Sequence, residues 1–253
     1  MNHEKIKALL NMNAVMKNLE ELVRLDSQVA EQVKDLDFAM EFSTLFGPKC
    51  SVEFKAGQCR VRPGKHASPR IRLLCFSSAH FNRVMEGKSN PIPVKGIRFL
   101  KFLSTEFPKI TDRLEYYLKP DGAKLADPEY LKINTRFTLN TAMNAVKFLA
   151  IHDPLGKFNR AHIPTGTVQF QVLPDGPSAV LHFDGDTIEV SDQPCASPSA
   201  VLLFKDEQTA NDLLNGNCDA FAALATGDVK MKGRIPMIEA INLILDRIPM
   251  YLS

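Results

Sequence analysis

The stretch Ala196–Leu252, ASPSAVLLFKDEQTANDLLNGNCDAFAALATGDVKMKGRIPMIEAINLILDRIPMYL, decides the fold. It reads as a strand, a helix, a small-residue segment, a short strand Asp228–Lys232 running into Lys-Gly, and a long apolar helix. From Ile235 to Leu252 the charged or amide side chains are Glu239, Asn242, Asp246 and Arg247, and the first three fall on one narrow helical stripe. A helix that covers a sheet needs an apolar arc of roughly 100°. This one carries more. The surplus must meet a partner subunit, a second domain, or an apolar ligand held between helix and sheet, and periodicity alone does not separate the three.

Working outward, Asp184-Gly185 turns an early hairpin, Ala200–Phe204 is an apolar strand, and Asp206-Glu207 opens a helix that Leu213-Leu214-Asn215-Gly216 closes. The next strand is carried by GDVKMKG, Gly227–Gly233. In this order and spacing the second half resembles the sterol carrier protein type 2 family, a lipid-transfer module. The resemblance implies an α+β fold, a twisted, mostly antiparallel five-stranded sheet covered on one face by helices. It implies an apolar tunnel walled by Phe170, Phe183, Leu202, Phe204, Phe221, Leu224, Met231, Ile238, Ile241 and Leu245. The guest would be a fatty acyl chain, an acyl-CoA, an isoprenoid or a sterol-like molecule, and flexible methionines suit such a permissive pocket. Against this stands a plainer reading, in which Met237, Ile238, Ile241, Ile244, Leu245 and Ile248 are simply core.

The two halves echo each other. Met12-Asn13-Ala14-Val15 recurs as Met143-Asn144-Ala145-Val146, Val52-Glu53-Phe54 as Leu181-His182-Phe183, and Ala67-Ser68-Pro69 as Ala196-Ser197-Pro198. Lys95-Gly96 matches Lys232-Gly233, and Asp112-Arg113-Leu114 with Tyr117-Leu118 matches Asp246-Arg247-Ile248 with Tyr251-Leu252. The common order and nearly constant offset argue duplication. Two tandem domains are therefore expected, residues 1–120 and 128–253, joined by the Pro-, Gly- and charge-bearing KPDGAKLAD, Lys119–Asp127. The first is expected to open with a helix in pieces over 4–34, with Leu9, Met12, Met16, Leu19 and Val23 on its buried face. Strands follow at 38–45, 50–55, 58–62 and 70–76, then helices at 78–86 and 96–118, the latter interrupted by Pro108.

The second is expected to open with a helix over 128–151 that Pro154-Leu155-Gly156 breaks. In Gly166–Val172 strict alternation puts Val168, Phe170 and Val172 inward, and pairing with Ala179–Phe183 turns His182 outward. After Gly87 the first half is shorter than the second by about eight residues, the piece corresponding to Ala220–Ala225, and holds Pro91 and Pro93 instead. In the family that piece helps wall the tunnel, so the first domain reads as degenerate.

Composition bounds the function classes. At 45% hydrophobic and 24% charged residues the chain reads as an ordinary soluble protein, with no apolar run near the ~18 residues of a membrane span. The start MNHEKIKALL lacks a secretion signal, so a cytoplasmic location is expected. Cys50, Cys59, Cys75, Cys195 and Cys218 contain no C-x-x-C pair, and His3, His66, His80, His152, His162 and His182 form no ligand motif. No metal, no cofactor and no catalytic residue are assigned. Asp184, Asp186, Asp206 and Glu207 fall at turns and helix starts, where a structural duty is expected.

Charge is unevenly shared. Residues 1–125 hold 21 Lys/Arg against 14 Asp/Glu, and the remainder 10 against 15. Much of the excess lies in Lys55, Arg60, Arg62, Lys65, Arg70 and Arg72, and period two puts Arg60 with Arg62, and Arg70 with Arg72, on one face each. If those strands were neighbours they would form a basic plate, open to an anionic membrane surface or an acidic protein partner. Solvated surface is the plainer reading. Nucleic acid is excluded as a leading partner, since tryptophan is absent and few aromatics interleave with the basic residues. Homodimer formation stays open. The expected function is therefore binding and transfer of an apolar lipid-like ligand without bond chemistry, and the rival is a non-enzymatic accessory or scaffold protein on the same fold.

Overall fold

The structure, a computed structural model, describes residues 3–252, and its two compact units divide in sequence between Tyr116 and Tyr117. That division precedes Lys119, because Tyr117 stacks on Tyr130 and meets Phe137 edge-on within the second unit.

The first unit opens with α1 (His3–Leu10), a π-helical turn (Asn11–Val15), α2 (Asn18–Leu25) and α3 (Ser27–Val33). Ile6, Leu10, Met12, Leu19 and Leu22 are at most 1% exposed, so the periodic apolar face is the core-facing one. The strands are β1 (Phe38–Thr44), β2 (Lys49–Lys55), β3 (Gln58–Pro63), β4 (Ile71–Cys75) and β5 (Ile92–Lys95), with α4 (Ser78–Met85) between the last two. They lie in the order β3-β2-β1-β4-β5; β1 and β4 run parallel and the other pairs antiparallel. Between β2 and β3 the two-residue turn Ala56-Gly57 has φ +49° and +70°, the twist that a tight hairpin needs. The closing helix α5 (Phe107–Leu118) follows a 3-10 turn (Ile97–Phe99) and a π turn (Phe102–Glu106). The irregular part thus lies just ahead of Pro108, whose missing N–H and ring disturb the preceding turn.

In the second unit α6 (Pro128–His152) and α7 (Pro154–Arg160) precede β6 (Gly166–Val172), β7 (Ser178–Asp184), β8 (Thr187–Ser191) and β9 (Ala200–Phe204). Then come α8 (Glu207–Leu214), α9 (Ala220–Thr226), β10 (Val229–Gly233), α10 (Ile235–Leu245) and α11 (Pro249–Leu252). The order is β10-β9-β6-β7-β8, with β6 and β9 parallel. Both sheets therefore have one topology, strand for strand and sense for sense. Pro154 opens α7 rather than ending helical structure, since Asp153 caps it and proline suits the first helical turn. The long terminal helix expected over 235–252 is two pieces, because Pro249 cannot continue the ladder and Ile248 before it is turned out of helix.

Side chains repeat with the strands. Asn13 Nδ2 donates to the Leu9 carbonyl and Asn144 Nδ2 to that of Asn140, each at 2.9 Å and one turn back. Asn82 of α4 accepts from Asn11 Nδ2 at 3.1 Å, while Asn211 of α8 donates to Asn134 Oδ1 at 2.6 Å. All four of these partners are buried, so each amide pair satisfies groups that would otherwise be costly to bury.

Candidate functional site

The inner face of the second sheet is a set of apolar rows. Register places Ala179, Phe170, Leu202 and Met231 side by side across β7, β6, β9 and β10. Ala179, Phe170 and Leu202 are 5%, 1% and 2% exposed, but Met231, on the edge strand, is half-buried. The row is closed at its centre and open at the β10 edge.

Two helices flank that edge. α10 packs on β9 and β10 and buries Met237, Ile238, Ala240, Ile241 and Ile244, while Ile235 and Leu243 stay exposed. α9 packs on β10 and buries only Ala223 of its seven residues. Asp219 caps its start by accepting from the Ala222 N–H at 2.8 Å, and Gly227 ends it at φ +79°. Its ring-bearing residue, Phe221, is 83% exposed, and Leu224 is half-buried.

The expected tunnel wall is thus split. Phe170, Phe183, Leu202, Phe204, Ile238 and Ile241 are 0–2% exposed. A void wide enough for an alkyl tail leaves accessible surface on its walls, and these six have almost none, so they are packed core rather than lining. Phe221, Leu224, Met231 and Leu245 are the ones with apolar surface to offer, three of them half-buried and Phe221 outside altogether. Helical periodicity showed that α10 has apolar surplus; which way α9 turns its phenylalanine depends on a non-local contact with β10.

The closing segment is held from beneath by Asp153, which has no exposed surface. Its carboxylate accepts from Tyr251 Oη at 2.6 Å and the Gly156 N–H at 2.8 Å, with Arg247 Nε at 3.3 Å. Burial pushes this carboxyl up, but the bonds from Tyr251, Gly156 and Arg247 outweigh it and hold it below the usual aspartate range. In the first unit Asp26 takes the same part, capping α3 and accepting from Arg113 Nε at 2.8 Å, and its carboxyl is likewise lowered against burial. The repeated Asp-Arg motif at the ends of the two halves is thus an anchor for each closing helix.

The remaining candidates fall as follows. His182 points outward, exposed, with Nδ1 at 3.0 Å from Thr167 Oγ1. Asp206 caps α8 through the Thr209 N–H at 2.8 Å. Burial pushes the Cys50, Cys59 and Cys75 thiols up, Cys75 to about 11, which suppresses thiolate chemistry there. Cys195 and Cys218 are half-buried free thiols.

On the outer face of the first sheet the basic residues are not arranged as one plate. β3 and β4 are not neighbours, because β2 and β1 lie between them. Register runs Arg62, Ser51, Glu41, Arg72 and Lys95 across the sheet, and Arg60 lies opposite Glu53. Glu41, 2% exposed, sets its Oε1 3.2 Å from Arg72 Nε, off the axis of a hydrogen bond, and Oε2 accepts from the His66 N–H at 3.3 Å. Carboxylates thus separate Arg60 and Arg62 from Arg70 and Arg72, which period two alone does not reveal.

No family model matches the chain, and no curated protein does. Among solved structures it is similar to a UbiJ-SCP2 ubiquinone synthesis protein, 14% identical, over 40% of this chain and 86% of that one, with TM-score 0.33. It is similar to sterol carrier protein domain 2 of Helicoverpa armigera, 15% identical, over 48% and 91%, with TM-score 0.34. The sec-alkylsulfatase Pisa1 from Pseudomonas sp. is 9% identical over 58% of this chain and 29% of its own, with TM-score 0.27.

Proposed function

We infer that the second unit binds an apolar, lipid-like molecule at the β10 edge, between α9 and α10, and that the protein works by uptake and release rather than by making or breaking bonds. The observation that carries this is the state of α9: a helix packed on the edge strand β10 through one buried side chain, with Phe221 83% exposed. Covering such a ring contributes about 2 kcal/mol, enough to hold α9 down on a guest that replaces water against Met231, Leu224 and Leu245. The guest enters by displacing α9, since the sheet's centre is already filled. A fatty acyl chain, the acyl part of an acyl-CoA, an isoprenoid and a sterol-like ring system all meet this requirement.

The test is titration of a fluorescent fatty acid into delipidated protein, with an organic extract of the undelipidated protein alongside. Phe221→Ser is expected to weaken the probe about tenfold or more while leaving the melting temperature unchanged. No co-purified lipid together with no probe binding would sink the reading. A second reading is favoured by the packed core: the same apolar edge receives a protein segment, and the chain is an accessory or scaffold. In that case the extract is empty, the probe fails, and Phe221→Ser still leaves the fold intact.

A further inference from the structure

The β2–β3 hairpin of the first unit carries a groove of about 470 Å³ on its outer face, lined by Glu53, Lys55, Ala56, Gln58, Arg60 and Arg62. Strand alternation puts these side chains on one side, and register sets them in adjacent rows, Lys55 beside Gln58 and Glu53 beside Arg60. Arg60 and Arg62 stand roughly 7 Å apart along β3, the edge strand. Lys55, Arg60 and Arg62 are exposed, and among the described residues none makes an ion pair through its side chain. Glu53 lies 4.0 Å from His66 Nε2. Against that one carboxylate, three cations leave about two positive charges unbalanced. All the lining side chains but Ala56 end in a charged or amide group, so the groove suits a polar anion rather than a lipid tail.

The second unit supplies an internal control. Its β7–β8 hairpin has the same two-residue loop and the same register, Phe183 opposite Ile188 where the first has Phe54 opposite Cys59. At the places of Lys55, Arg60 and Arg62 it holds Asp184, Glu189 and Ser191. The fold accepts the opposite charge at two of these positions and a neutral residue at the third, so the basic set is no requirement of the hairpin.

We propose that this groove is a binding site for a phosphoryl group, with Arg60 and Arg62 as forked donors and Lys55 as a point charge. A phosphoryl group brings close to two negative charges and three acceptor oxygens, which matches the unbalanced charge and exceeds what a lone carboxylate would use. The group is carried either by a soluble phosphate monoester or by a phospholipid headgroup that ends in one.

Two arms separate the sources. Inorganic pyrophosphate is titrated calorimetrically into the full chain, and the chain is floated with vesicles of phosphatidylcholine and phosphatidic acid. In whichever arm binds, R60Q/R62Q is expected to lose at least tenfold, and Lys55→Gln alone a smaller amount. Lys230→Gln with Lys232→Gln, the same change in net charge on the outer face of β10, is expected to lose less than twofold. Pyrophosphate binding assigns a soluble ester and vesicle binding a headgroup. Binding in neither arm, or equal losses in the two charge-matched pairs, would overturn the proposal.

Discussion

Phe46 is fully exposed at φ +54°, a backbone region in which a β-carbon crowds the following carbonyl. The strain costs about 1–2 kcal/mol and no packing offsets it, whereas a glycine there costs about 0.5–1 kcal/mol through the entropy of the unfolded chain. Phe46→Gly is therefore expected to stabilise the first unit by about 0.5–1 kcal/mol in urea denaturation. A loss of stability would show that the ring has a contact. At Asp153 the sign follows from the lowered carboxyl. A group whose folded value lies below its unfolded one stabilises at pH above the unfolded value, and that contribution disappears as pH falls through the folded one. The second unit is thus expected to weaken steeply below about pH 4, where an ordinary aspartate protonates. Asp153→Asn should cost about 2–4 kcal/mol at neutral pH and flatten this acid limb, because an amide keeps the cap but loses the charge-assisted bonds to Arg247 and Tyr251. Denaturation curves at pH 3.5 and 7 for both proteins check it; parallel acid limbs would remove Asp153 from the account.

At the scale of elements, much was legible because each strand is short, apolar on alternate residues and bounded by turn residues. Val168, Phe170 and Val172 alternate inward as the pattern says, and the hairpin at Asp184-Gly185 closes where the glycine is. Three things were not legible. Pro93 sits in edge strand β5, where a missing donor is tolerated. The small-residue run at Ala220 became α9, whose orientation depends on β10. The spread of Arg60, Arg62, Arg70 and Arg72 depended on strand order, a non-local property that no local period encodes. The repeated Lys-Gly pairs were legible as a match without their reason. Gly96 and Gly233, at φ +91° and +80°, let the chain after the last strand pass against the backbone at the start of β4 and β9. A β-carbon on Gly96 would lie 2.7 Å from the Arg70 carbonyl oxygen, and one on Gly233 would collide with that of Ser199. Gly96→Ala and Gly233→Ala are each expected to cost about 3 kcal/mol or more, each in its own unit. A cost under 1 kcal/mol in either would mean that this crossing is not fixed.

For the whole molecule, the two units share a topology and differ in what they leave uncovered. The connection from α4 to β5 spans six residues, 86–91, and that from α8 to β10 spans fourteen, 215–228, the difference being the length that holds α9. Among the described residues the first unit has no counterpart of α9, the helix that the proposed function lifts. The first has its spare chemistry on the opposite face of its sheet, where Lys55, Arg60 and Arg62 replace Asp184, Glu189 and Ser191. One topology thus presents an apolar edge in one unit and a cationic groove in the other, consistent with the uneven sharing of charge between the halves of the sequence. The two forces respond differently to salt. Screening shortens from about 14 Å to about 4 Å between about 50 and about 500 mM sodium chloride, whereas transfer of apolar surface from water is strengthened slightly if at all. Over that range phosphoryl binding by the full chain is expected to weaken more than tenfold, and the fluorescent fatty acid to change less than twofold. R60Q/R62Q should leave the fatty acid untouched, and Phe221→Ser should leave pyrophosphate or vesicle binding untouched. Equal salt slopes for both ligands, measured on one preparation, would mean that they share a site and that the division of labour between the units is false.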